Sequence, residues 1–172
     1  MDISALASWL CCKLERFGAV LAGSFPLGLQ RPDSDIDIIC SFSQIKEFEE
    51  ALRQLFGHYQ NFQLAVKNIR SERCVVCKFV ANGTDVEIFG QNKAVHQQYA
   101  WRHLVVEQRL LEAGGESFRK LVAEQRESGS KTEAAFATVL GLSGDPFEAL
   151  LLLEVLSVDQ LESRFFSTQK PA

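Results

Sequence analysis

The sequence is poor in what would draw it to a polyanion. Its 172 residues carry 18 Lys and Arg against 22 Asp and Glu, a net charge of -4, and its pI is about 5.4. With no general basic field to attract a nucleic-acid backbone or an anionic membrane, a small-molecule or protein partner is expected in preference to nucleic acid. Long apolar runs are missing too. None reaches the roughly 18 residues of a spanning helix, and the N-terminus lacks a basic region followed by a cleavable apolar segment, so the expected location is the cytoplasm, with no membrane contact. Metal-binding patterns of thiol and imidazole are also absent. Cys74 and Cys77 are spaced as Cys-x-x-Cys, but on a strand residues three apart face opposite sides and cannot grip one zinc. Cys11 and Cys12 are adjacent on a helical pattern and Cys40 ends a strand, which fits buried reduced thiols. His58, His96 and His103 show no zinc spacing and read as structural. No repeat or low-complexity tract is found.

What is present is enough apolar material, 47% of residues, for one compact unit: a sheet-forming core over residues 1–90 and a helical part over 91–172 packed on it. The stretch from Gly23 to Asp37 stands at its centre. The apolar run Ala19–Ala22 leads into Gly23-Ser24, as a buried strand would on ending in a sharp turn. Amides at the start of a following short helix, with the Ser24 hydroxyl, are suited to an anion such as phosphate. Further on, Asp35 and Asp37 flank Ile36 in an apolar strand running to Ile39. Strand side chains alternate, so both carboxylates share one face with Cα atoms about 7 Å apart. That spacing can converge on the metal pair, roughly 3.5 to 4 Å apart, of in-line phosphate displacement. Two acids on an apolar strand repel unless cations neutralise them, and an all-oxygen donor set points to a hard ion, Mg2+ or Mn2+.

Elsewhere the patterning is legible. Leu6, Leu10 and Leu14 with Trp9 and Phe17 predict a helix over residues 3–17, closed by Gly18. Ser43 reads as the N-cap of a second helix whose buried face is Ile45, Phe48, Leu52, Leu55 and Phe56. A third strand is expected over Phe62–Lys67. Cys74–Ala81 and Thr84–Phe89 flank Asn82-Gly83, a strong two-residue hairpin signal. That register sets Glu87 opposite Lys78 and Asp85 opposite Val80. From Gln91 on, helices are expected over residues 97–111, 116–127, 132–140, 146–156 and 158–165, with Gly114-Gly115 and Asp145-Pro146 among the connections.

Gly23-Ser24, Gly28 and the run Arg31-Pro32-Asp33-Ser34-Asp35-Ile36-Asp37 resemble the signature of the polymerase-beta-type nucleotidyltransferase superfamily. Many of those proteins carry an arginine just before the second glycine, where this chain has Leu27, and Pro26 replaces the small residue before it. Arg102, Arg109 and Lys131 are candidates for the missing cation. Lys131–Ala137 and Gly141–Pro146, with Tyr99–His103, resemble an uncharacterised nucleotidyltransferase-like family, a domain of unknown function of about this length. The resemblance implies an α/β fold, with a mixed β-sheet, helices on one face and a helical C-terminal half walling one end of the cleft. It implies a third acid beside the Asp-x-Asp strand. Glu87, between Val86 and Ile88, fits that place, with Asp85 in reserve; a plain cross-strand pair of Glu87 with Lys78 is the alternative.

The implied activity is transfer of a nucleoside monophosphate from a nucleoside triphosphate to an acceptor hydroxyl. Asp35, Asp37 and Glu87 would be the metal ligands and catalytic acids, and Gly23 and Ser24 would hold the phosphate tail. The rival expectation is a non-catalytic nucleotide- or metal-binding partner protein, antitoxin-like, that keeps the fold without the chemistry.

Overall fold

Leu6, Ala7 and Leu10 lie on the buried side of the first helix, α1 (Ile3–Lys13), in the computed structural model, which describes residues 2–167. Asp2 caps it by accepting from the Ala5 amide at 2.7 Å. The helix is shorter than the apolar spacing predicts. It ends at Lys13, and a single 3-10 turn over Glu15–Phe17 carries Phe17 to the core before Gly18. The second helix, α2 (Ile45–Phe56), buries Phe48, Ala51, Leu52 and Phe56; its cap position is Gln44, not the expected Ser43.

Both helices cover one face of a five-stranded sheet. Its strands are β1 (Val20–Ala22), β2 (Ile36–Ser41), β3 (Gln60–Ile69), β4 (Glu72–Ala81) and β5 (Thr84–Gln91), in the order β1-β2-β5-β4-β3. β2 and β5 run parallel while every other pair is antiparallel, so the sheet is mixed. Asn82 and Gly83 turn the β4–β5 hairpin with φ of 52° and 77°, the left-handed conformations that a tight two-residue turn demands. Alternation then sorts the side chains. Ile36, Ile38, Cys40, Val75, Cys77, Phe79, Val86 and Ile88 join Leu6, Leu10, Phe48, Leu52 and Phe56 in one apolar core. Phe56 stacks on Phe79 with ring centroids 4.9 Å apart.

The described chain divides into two compact units. The first runs up to Phe25 and takes in Pro32–Trp101; the second joins Pro26–Arg31 to the chain from Arg102 on. Helices make up the second: most of α3 (Tyr99–Glu127), then α4 (Thr132–Leu140), α5 (Pro146–Leu151) and α6 (Val158–Phe165). The two helices expected before residue 128 adjoin without a loop, broken only at Gly115, where φ is 62° and ψ is -160°. Asp145 caps α5 with Pro146 in its first turn. Ser157 and Gln160 form a reciprocal capping box on α6, a motif that the expectations above do not contain. The α/β fold with a mixed sheet, helices on one face and a helical second half is as expected. Among the described residues, no helix is long and apolar enough to cross a membrane.

Candidate active site

The burial of Ile36 and Ile38, neither exposed at all, fixes where their neighbours point. Successive strand residues alternate, so Asp37 emerges on the sheet face opposite α1 and α2, and Asp35, just ahead of β2, precedes it on that side. The same alternation between buried Val86 and Ile88 brings Glu87 to that face on β5. Register does the rest. Asp37 is the Cα partner of Glu87 across the parallel β2–β5 pair, and Glu87 is the partner of Lys78 across β5–β4. Ala22, Asp37, Glu87, Lys78 and Gln63 form one row across the sheet, each step about 4.8 Å. Asp85 pairs with Val80 as expected and is exposed, one pleat away from Glu87.

Gly23 completes this arrangement. It follows β1 with φ of 67°, and a Cβ placed on it would run into the Asp37 carboxylate, with Asp37 Cγ at 3.0 Å. Only glycine lets the turn backbone lie directly against that acid. Ser24 beside it is buried at 5% exposure. The segment does not enter a short helix as expected; Gly23–Gly28 is a run of turns. Pro26 removes one amide donor, and Gly28 takes the left-handed conformation at φ 67°, which a helix cannot accommodate.

Lys78 supplies the positive charge on this face. Its ammonium forms an ion pair with Glu87 Oε2, so the cross-strand pair weighed as the alternative is formed. Its pKa lies above the ordinary lysine value, first through the Glu87 hydrogen bond, against some desolvation, and then through the charges of Glu87, Asp35 and Asp37. Among the described residues, no group of three or more His, Cys, Asp or Glu converges as a ready-made metal cage. Magnesium does not require one: it keeps several waters and binds through one or two carboxylates plus substrate phosphates. The donor set of Asp35 and Asp37, all carboxylate oxygen, with a glycine turn packed on Asp37, fits such an ion.

Within the second unit, two of the cations singled out in the sequence, Arg102 and Arg109, have other partners. Arg102 grips Glu154 through Nε and Nη2, at 3.0 and 2.6 Å. Arg109 donates to the carbonyl of Glu154 at 3.0 Å. Lys131 is exposed at the start of α4. His103 is buried, with Nε2 2.9 Å from the Phe147 carbonyl.

Leu27 is buried, and its carbonyl accepts from Arg119 Nη1 at 2.5 Å. Arg126 reaches the Leu29 carbonyl at 3.4 Å and that of Ser130 at 2.8 Å, while Arg31 donates back to the Arg126 carbonyl at 3.0 Å. These arginines hold the 26–31 loop and were missed in the sequence; their placement two turns apart on one helix face was the available signal. Glu107 was missed as a buried acid. It is 3% exposed, Oε1 has no hydrogen-bond partner among the described residues, and burial pushes its carboxyl well above the usual range, with Glu133 adding to the rise and Arg126 opposing it.

A family model for a domain of unknown function, DUF4269, matches residues 5–153. The chain belongs to the DUF4269 family. No curated protein matches it in sequence. Among solved structures, the DUF4269 chain is similar to the Cid1 poly(U) polymerase bound to MgATP, at 15% identity and TM-score 0.55 over 80% of this chain and 47% of that one. It is similar to a cytoplasmic RNA terminal U-transferase at 16% identity and TM-score 0.52, over 80% and 45%. A third likeness is to the GLD-2/RNP-8 complex, at 14% identity and TM-score 0.51, over 98% and 64%. The DUF4269 chain thus shares its fold with these structures and spans about half the length of the first two.

Proposed function

We propose that this DUF4269 chain is a nucleotidyltransferase that moves a nucleoside monophosphate from a nucleoside triphosphate to an acceptor hydroxyl. The observation that carries the reading is the row itself: Asp37 and Glu87 level on adjacent parallel strands, Asp35 on the same face, and the Gly23 turn against the Asp37 carboxylate. Asp35 and Asp37 would hold Mg2+ or Mn2+, and Glu87 would complete the acidic set. When bound, the cation supplies charge neutralisation on the phosphate oxygens and on the attacking and leaving groups. Gly23 and Ser24 would position the phosphate tail beside these acids. Glu87 would take the proton of the acceptor hydroxyl as the new O–P bond forms and the bond to pyrophosphate breaks. Positioning and electrostatics would carry the rate, as in other phosphoryl transfers.

Nucleotide binding is supported by the likeness to the Cid1 poly(U) polymerase, whose structures hold MgATP or MgGTP. The acceptor is a wider question than net charge suggests. One protein of this fold is an RNA terminal U-transferase and another stands in a protein complex, so the fold lends no support to ruling out nucleic acid. The ion pair of Lys78 with Glu87 favours a second reading, a module that binds metal or nucleotide without turnover.

The test combines metal titration by calorimetry with pyrophosphate release on a panel of triphosphates and acceptors, RNA included. Asp35→Asn with Asp37→Asn should keep the fold and abolish metal binding, and Glu87→Gln should keep nucleotide affinity and lose turnover. Metal affinity unchanged in the double variant sinks the assignment. Tight metal binding with no pyrophosphate release from the wild type under any condition selects the binding module.

A further inference from the structure

Lys78 is placed where the proposed chemistry would least tolerate a fixed cation. It stands beside Glu87 on the adjacent strand, in register, with its ammonium on Glu87 Oε2. The next residue in the row is Asp37, whose carboxylate lies against Gly23. An ammonium has three donors and no acceptor, so it cannot ligate a metal. It can only stand in for one. Its side chain is 52% exposed while that of Glu87 is 28% exposed, so the head group of a flexible four-carbon stem can swing to solvent while the carboxylate remains in place.

We propose that Lys78 is a built-in counter-ion of the acidic site, holding Glu87 until a divalent cation displaces it. The inference rests on the proposed metal site and adds how that site is kept closed. Without metal, Lys78 offsets the repulsion among Asp35, Asp37 and Glu87 by standing against the Glu87 carboxylate. When a divalent ion arrives, two cations on one carboxylate would repel, and the ammonium leaves. Glu87 then becomes available as a ligand or proton acceptor. Metal binding is therefore weakened by the strength of the ion pair that it must break.

The experiment is Mn2+ titration by calorimetry on the whole chain, comparing wild type, Lys78→Met and Lys78→Arg, with melting curves to verify folding. Lys78→Met should bind Mn2+ about two- to fivefold tighter, the range expected when a half-exposed pair no longer competes. Lys78→Arg, which keeps the charge, should stay near wild type. Equal affinity in wild type and Lys78→Met overturns the inference and leaves the metal site standing. No Mn2+ binding by any of the three overturns the metal site and the inference with it. A wild-type readout stands independently of the variants. The Lys78 side-chain resonances should shift on addition of Mg2+, and resonances that stay put while Mg2+ binds overturn the displacement.

Discussion

Gly23→Ala tests the contact on which the candidate site depends. Two costs add. An alanine held at φ 67° sits in the left-handed region, at about 1 to 2 kcal/mol. Its Cβ would also meet the Asp37 carboxylate, with Cγ at 3.0 Å and Cβ at 3.3 Å, and turning that side chain off its rotamer costs about 0.5 to 1.5 kcal/mol more. The expected loss is about 1.5 to 3.5 kcal/mol in all. Gly83→Ala separates the terms, because φ there is 77° with nothing within 4 Å of the added Cβ; it should cost only the backbone part, about 1 to 2 kcal/mol. Both tryptophans, Trp9 and Trp101, belong to the sheet unit, so urea unfolding followed by fluorescence reports the unit that holds the site. A cycle with Asp37→Ala should return a coupling of about 1 kcal/mol, since removing the carboxylate makes room for the methyl group. Coupling below about 0.3 kcal/mol, within the additivity of independent sites, would refute the claim that Gly23 is required by Asp37. Metal affinity gives a second reading: it should fall in Gly23→Ala and hold in Gly83→Ala.

Glu107→Gln should gain stability over wild type as pH rises. Burial holds the Glu107 carboxyl well above its ordinary pKa, so the folded state keeps a proton that the unfolded chain releases, and wild-type stability is full below the ordinary carboxylate range and falls as pH climbs toward the folded value. Melting curves from about pH 4 to pH 8 check it, and a difference independent of pH would contradict the assignment. Arg119→Met should cost about 1.5 kcal/mol by removing the charged donor from the Leu27 carbonyl, and should speed chymotryptic cleavage after Leu27 or Leu29; unchanged cleavage would mean that Arg119 does not hold the loop.

The sequence by itself determined the strands and the face from which each acid starts. Apolar alternation around Ile36, Ile38, Val86 and Ile88 decides which face Asp37 and Glu87 share, and Asn82-Gly83 decides the β4–β5 register, because both are local consequences of strand geometry and turn chemistry. Two helices of the second half were legible to their limits, Thr132–Leu140 and Val158–Phe165, whereas the helix expected over residues 146–156 ends at Leu151. Tertiary structure decided what spacing cannot carry. That β2 and β5 pair in parallel, setting Asp37 level with Glu87, depends on residues fifty apart in sequence meeting across the sheet. That Gly23 lies against Asp37, that Lys78 sits on Glu87 with the charges of Asp35 and Asp37 around it, and that Arg119 and Arg126 close on the 26–31 loop are likewise long-range choices. A charged side chain's partner is set by which opposite charge or carbonyl the fold brings within reach, and periodicity reports only the face from which it starts.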